Sequence, residues 1–279
     1  MASYVSKTPP RRYFLYLLVA LVVIYSFFPI YWMILSSLRS GTDLFRSASL
    51  VFWPPDLHSY QNLLEVTDYP VNFLNSVIVA VATIAISMLL SVFIAYGATR
   101  LRFRGKTTLI ASMLFAYMFP PLMLAIPMSV FFQSIGLSDS LWGLLCAHLG
   151  MVLPLGVWLL WGFFRSMPFD LEEAAMVDGC SQFGAFTRII LPLTAPGLIT
   201  VGIFSFLLSW SDYVFALILI TSDANKTLPV ALASMLAAQD LRWGPILAGA
   251  SLIALPLFVI LAFCYRYFIA GLSSGAVKG

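Results

Sequence analysis

Apolar residues run in long uninterrupted blocks along this chain, and charged residues mark the ends of the blocks. Charge-free stretches cover residues 13–38, between Arg12 and Arg39; 69–99, between Asp68 and Arg100; and 107–138, between Lys106 and Asp139. A fourth covers 140–164. A fifth covers 196–220 with one interior charge, Asp212, and a sixth covers 243–265 and stays apolar past Arg266 to Ala270. About 20 apolar residues carry a helix across a bilayer, and only a helix satisfies its backbone groups within such a segment. Six blocks therefore predict an all-α membrane protein with six transmembrane helices and both termini on one side.

Composition supports this reading and narrows it. Of the 279 residues 61% are hydrophobic and 10% are charged, against about 25% charged in an ordinary soluble domain. That leaves too little polar material to cover a soluble core, which excludes a soluble enzyme, a disordered chain and a nucleic-acid binder. Basic residues then set the orientation. With the N-terminus in the cytoplasm, Lys7, Arg11, Arg12, Arg100, Arg102, Arg104, Lys106, Arg165, Arg188, Arg266 and Lys278 fall inside, and only Arg39, Arg46, Lys226 and Arg242 fall outside. An excess of Lys and Arg on cytoplasmic loops is the usual pattern. Cys146, Cys180 and Cys264 are scattered and suggest neither a disulfide nor a metal site. His148, alone in the fourth block, reads as an interhelical hydrogen bonder.

Two features stand out inside the apolar blocks. Pro120 and Pro121, with Pro127, interrupt the third; proline lacks a backbone donor and clashes with the preceding turn, so this helix is expected to kink or break. Either simple kinks against neighbouring helices or broken helices lining a pathway would account for them. In the fifth block Asp212 lies within Trp210-Ser211-Asp212-Tyr213. A carboxylate at the centre of a span costs about 2.5–3.5 kcal/mol on insertion scales, so it is expected to face the bundle interior or a wet cavity. Sugar contact, proton carriage and a structural hydrogen bond all remain open for it. Trp210, Asp212, Tyr213, Pro120 and Pro121 are the candidate translocation-pathway residues.

Residues 165–195 gather four of the twelve acids: Asp170, Glu172, Glu173 and Asp178. The segment reads as two short helices. Asp170 and Glu173 have the spacing of a capping box, and Leu171, Ala174 and Ala175 form a small apolar face. Gly179 ends the first helix; the second starts near Ser181, shows Phe183, Phe186, Ile189 and Ile190 at helical spacing, and stops at Pro192. Its acidity argues against anionic lipid as the partner and for a soluble protein docking from the cytoplasm.

The run Glu173-Ala-Ala-Met-Val-Asp-Gly179, then nine residues, then Ile189-Ile-Leu-Pro192 reproduces the pattern E-A-A-x3-G-x9-I-x-L-P. It resembles the EAA motif of integral-membrane permease subunits of binding-protein-dependent ABC importers, and the tail 271–279 is similar to the ending of maltose-type carbohydrate permeases. The resemblance implies a type I ABC importer permease fold with cytoplasmic termini. Its parts are a cytoplasmic N-terminus 1–12, a first transmembrane helix 13–38, an extracytoplasmic loop 39–68, a permease core 69–270 with coupling loop 165–195, and a cytoplasmic tail 271–279. It implies that Glu173, Ala174, Ala175, Gly179, Ile189, Leu191 and Pro192 couple the chain to an ATPase, and that the loop after span five, 221–242, probes a binding protein.

The resemblance further implies a second homologous permease, two ATPase subunits and an extracytoplasmic substrate-binding protein as partners, beside membrane lipid, and no nucleic acid. The chain itself has no catalytic or metal residues and no cofactor; ATP and Mg belong to the partner ATPase. The expected cargo is a carbohydrate or related polyol, and the place is a bacterial or archaeal inner membrane. Where the family commonly has Trp-Asn-Asp or Trp-Asn-Glu, Ser211 replaces the Asn, so no sugar contact is carried over. The competing expectation is a proton-coupled secondary transporter using Asp212.

Overall fold

The structure is a computed structural model. It describes residues 10–39, 44, 54–239 and 241–276, with 10–12 and 265–276 as backbone only. Expectations for 1–9, for most of 40–53 and for 277–279 lie outside the described residues.

Among the described residues all regular structure is helical, and the chain divides into two compact units. The first comprises residues 1–67 and 235–254. It contains α1 (Pro10–Ser37) and α2 (His58–Val66). Ser37 Oγ donates to the Ile34 carbonyl at 2.7 Å and meets the Tyr60 hydroxyl at 2.7 Å, joining the end of α1 to α2. None of the most apolar stretch of α1 is buried within the chain.

The second unit comprises residues 68–234 and 255–279. Its centre is α3 (Tyr69–Arg100), packed against α6 (Leu141–Ser166) and α10 (Ala195–Trp210). At 32 residues α3 is about 48 Å long. Its buried face is a stripe of small and polar side chains: Asn72, Asn75, Ser76, Thr83, Ser87 and Ser91, continued by Ala95 and Ala98. These recur at helical spacing, and small residues let neighbouring backbones approach closely. Ser87 and Ser205 of α10 share a hydrogen bond at 2.9 Å. At Gly156 of α6 an added Cβ would lie 2.6 Å from the Ser91 hydroxyl, so these helices pack this closely with glycine there and any larger residue would make Ser91 shift. Two apolar clusters flank the stripe. One holds Val79, Phe132, Leu144 and Phe215; the other, toward Arg100, holds Val92, Leu160, Phe164, Phe186 and Ile190.

The third apolar block breaks rather than kinks. It forms α4 (Lys106–Tyr117) and α5 (Pro121–Ser134), bent by 98° at residues 118–120. The residue before a proline avoids the helical region, which frees Phe119 and Pro120 from the helix. Pro121 then takes the first position of α5, where its missing N–H breaks no bond.

The hairpin that follows α6 comprises α7 (Asp170–Val177), α8 (Gln182–Ala185), a π-helical turn (Phe186–Ile190) and α9 (Leu191–Leu193). Pro192 lies within α9 rather than ending the helix; the bend, 70°, falls at Thr194 before α10. The fifth block is likewise interrupted, at residues 211–213, before α11 (Val214–Leu219). A 3-10 turn (Asp223–Asn225) and α12 (Leu228–Ala237) occupy the following loop, and α13 (Trp243–Ala276) runs on past residue 270 into the tail segment. Four helices are long and apolar enough to cross a membrane alone, and each bent pair, α4 with α5 and residues 182–193 with α10, can supply one more.

Candidate functional site

Two places in the second unit concentrate the sequence-predicted residues. The first is the hairpin. Asp170 does not cap α7 and no capping box forms: Phe169 is the capping residue, and its carbonyl accepts from the amides of Glu172 and Glu173 at 3.0 and 3.2 Å. The reason is that Asp170 is already the first residue of α7, one position too late to cap it. On α7 only Glu172 and Ala175 are buried; Leu171, Glu173, Ala174, Met176 and Val177 are exposed, so the expected face of Leu171 and Ala174 is not the one that packs.

Glu172 spends both carboxylate oxygens on α3. Oε1 accepts from Arg100 Nε, and Oε2 accepts from the Tyr96 hydroxyl at 2.9 Å. The Arg100 guanidinium also lies 4.2 Å from the centre of the Phe169 ring, a cation–π contact just ahead of α7. The Tyr96 ring packs on Phe186 at 4.4 Å and edge-on to Phe164 at 5.7 Å. The joint thus ties α7, α3, α6 and the π-helical turn together. It leaves Glu173, Ala174 and Gly179 facing outward.

Gly179 has φ +90°, and the Gly179 and Cys180 amides bond back to the Met176 and Ala175 carbonyls, ending α7 as the glycine predicts. Ser181 starts the next piece, its hydroxyl accepting from the Gly184 amide at 3.1 Å. Of the remaining motif residues, Ile189 and Leu191 are half-buried and Pro192 is exposed.

The second place is a cavity of about 280 Å³ bounded by α5, α6, α10 and the break before α11. Pro121, His148, Asp212 and Tyr213 line it, in an otherwise mostly apolar wall. Trp210 and Pro120 do not. Trp210 is buried, stacked on Phe206 at 5.3 Å and edge-on to Phe73 at 5.8 Å, while Pro120 is exposed at the elbow between α4 and α5.

Asp212 is not inside a helix. It stands at the break and caps α11, accepting from the Phe215 amide at 3.3 Å and the Ala216 amide at 3.0 Å. A carboxylate at a helix start satisfies otherwise unpaired amides. His148 is its neighbour, with Nε2 at 3.2 Å from Oδ2 and Nδ1 sharing a hydrogen bond with Ser209 Oγ at 2.9 Å. The interhelical bond expected of His148 is present. Its pairing with Asp212 was not readable, because 64 positions separate them. His148 thus gives Asp212 an imidazole neighbour, and Glu172, outside the apolar blocks, is a second acid withdrawn from solvent.

The far end of α3 from Arg100 carries a third constellation that sequence reasoning missed. Asn75 Nδ2 donates to the Ala224 and Lys226 carbonyls at 2.8 and 3.0 Å, and the Ser76 hydroxyl accepts from the Leu228 amide at 2.8 Å. Asp139, at φ +50°, accepts from the Thr221 and Ser222 amides and from the Ser222 hydroxyl. The Ser222 amide, with these other donors, holds the Asp139 carboxyl below its ordinary value. Loop 221–228 is therefore stitched to α3 and to the start of α6. The polar positions of α3, repeating every three or four residues, were the signal available for Asn75.

Comparison with known proteins completes the picture. The chain is 36% identical over 261 residues to the trehalose transport system permease protein SugB of Mycobacterium tuberculosis, covering 93% of this chain and 95% of that one. It is 30% identical over 272 residues to the trehalose/maltose transport system permease protein MalG of Thermococcus litoralis, covering 96% and 98%. In fold it resembles a chain in the crystal structure of a bacterial ABC transporter involved in the import of the acidic polysaccharide alginate, with a TM-score of 0.80 at 20% identity over 94% of this chain and 99% of that one. Residues 66–274 match the model of the binding-protein-dependent transport system inner membrane component. This chain belongs to that family: it is an all-α, multi-pass inner-membrane permease component of a binding-protein-dependent ABC transport system.

Proposed function

We propose that this chain is the permease subunit of an ATP-driven importer and forms half of a translocation pathway for a carbohydrate or related polyol. The other half is a second homologous permease. Two ATPase subunits, carrying ATP and Mg, dock on the hairpin 170–193, and an extracytoplasmic binding protein delivers the cargo. Counting each bent helix pair as one crossing, the chain spans the membrane six times with both termini in the cytoplasm. The trehalose and maltose permeases among its relatives support the cargo class.

The observation that carries the coupling role is the division of labour on α7. Its buried side is fixed to the bundle through Glu172 and Ala175, while Glu173, Ala174 and Gly179, three residues of the E-A-A-x3-G pattern, face outward together. Exposed alanines permit close approach of a partner, and Glu173 offers a carboxylate to a basic rim. The test is Gly179→Asp. A Cβ at Gly179 meets no atom of this chain within 4 Å, so apart from the strained φ the change falls on whatever docks there. Membrane insertion is expected to persist, while co-purification of the ATPase and uptake of labelled trehalose or maltose are lost. ATPase assembly and uptake at wild-type levels in this variant would overturn the reading.

The His148–Asp212 contact is the one observation that favours proton-coupled transport. Against it, both oxygens of Asp212 already accept amide bonds from α11. That alternative predicts uptake by this chain alone, driven by a proton gradient and indifferent to ATP.

A further inference from the structure

We infer that α3 is a two-ended strut, clamped to the docking helix through Glu172 and to loop 221–228 through Asn75, so that displacement of α7 is delivered to that loop. This rests on the coupling role proposed above. It assigns positioning roles to Glu172, Arg100, Tyr96 and Asn75, none of which belongs to the E-A-A-x3-G pattern.

The argument starts from the distribution of bonds. A helix of eight residues on the surface of a bundle is poorly held by packing alone, and α7 buries only two side chains. One of them, Glu172, is fixed by two charge-assisted hydrogen bonds from positions four apart on one face of α3. The Phe169 ring packs on the same guanidinium at 4.2 Å. Both hydrogen bonds to Glu172 are directional and come from a single helix, so α7 cannot shift while α3 stays without breaking them.

The opposite end of α3 is fastened in the same manner. Asn75 donates both amide hydrogens to carbonyls on either side of Asn225, and Ser76 accepts from the Leu228 amide. Between the clamps α3 is one unbroken helix without an internal proline, whereas the 107–138 and 182–210 segments both bend sharply. Coupling between distant places requires a rigid element that both ends bias, and α3 is fastened by side-chain hydrogen bonds at both ends.

The experiment uses the complete transporter in nanodiscs, with this chain in a background lacking Cys146, Cys180 and Cys264. An environment-sensitive fluorophore is attached through Asp223→Cys, an exposed position in the clamped loop. In the unmodified chain, ATP with vanadate is expected to change the signal. Glu172→Ala is expected to reduce that change about tenfold while the ATPase subunits stay bound and still hydrolyse ATP. Two further variants cover misfolding. Glu172→Leu with Arg100→Leu leaves no unpaired charge in the joint, and Asn75→Ala cuts the clamp at the end remote from the docking helix; both are expected to give the same loss.

A full signal change in Glu172→Ala or in Asn75→Ala overturns the strut and leaves the coupling role standing. Loss of the ATPase subunits in the double variant also overturns it, since Glu172 would then only shape the docking face. A silent label in the unmodified chain, with ATPase still retained by Gly179→Asp, overturns the coupling role itself.

Discussion

At the Arg100 end of α3, Glu172 meets a cation and a phenol from a different element, whereas at the cavity Asp212 gives both oxygens to backbone amides of its own segment. Both acids are largely withdrawn from solvent. Glu172 joins two elements that the chain separates by 72 positions, and Asp212 allows one membrane-embedded helix to stop and another to start. The contrast teaches that a buried carboxylate is read by what its two oxygens are bonded to, and that burial alone does not mark a transport residue.

The sharpest way to break this comparison is to remove each carboxylate in turn. Glu172→Ala strands a guanidinium whose side chain is 3% exposed, and is expected to lower stability by about 3–5 kcal/mol. Glu173→Ala, one residue away on the exposed side, is expected to change stability by less than about 0.5 kcal/mol. Thermal unfolding of the two variants in detergent checks the pair, and equal losses would erase the distinction drawn between them.

Asp212→Ala removes a helix cap and leaves His148 without its carboxylate. A loss of about 0.5–2 kcal/mol is expected for the cap, with a rise in amide exchange over residues 214–219. Unchanged exchange there would remove the capping role.

The smallest effect belongs to Asp139, where the carboxylate is held by amides across two loops. Its folded value is depressed, so its contribution is fully present above the ordinary carboxylate range and is lost as pH falls through the lowered value. Asp139→Asn is expected to flatten the acid limb of a stability-against-pH curve below about pH 4 and to lower stability slightly at neutral pH, where the charge contributes fully. An acid limb identical to that of the unmodified chain would show that loop 221–225 does not depend on this charge.

Most of the architecture was legible in the sequence because lipid imposes a coarse and strict rule. Blocks of about 20 apolar residues bounded by charge gave every long helix, and the paired prolines at 120 and 121 marked the break between α4 and α5. Gly179 and Ser181 marked the turn of the hairpin by local chemistry. What the sequence hid lies in contacts between distant segments. Glu173 drew attention because it belongs to a pattern, while Glu172 looked like another solvated acid; nothing local says which of two adjacent carboxylates turns inward toward Arg100. His148 beside Asp212 was invisible for the same reason. The stop at Pro192 was misplaced because proline near the start of a helical segment is tolerated, and α9 accommodates it.

The hydroxyl stripe on α3 bears on how the chain is made. Its partner strip on α10 leaves the ribosome more than a hundred residues later, so α3 must enter the lipid before Ser205 exists. Ser87 can wait: its hydroxyl also donates to the Ile84 carbonyl of its own helix at 3.2 Å. Ser205 does the same with Val201 at 2.8 Å. These two hydroxyls thus enter hydrocarbon already satisfied by their own helices, and the bond between them forms only when the second helix arrives. The pair is compatible with insertion one helix at a time, and it gives the late-arriving helix a register to lock into.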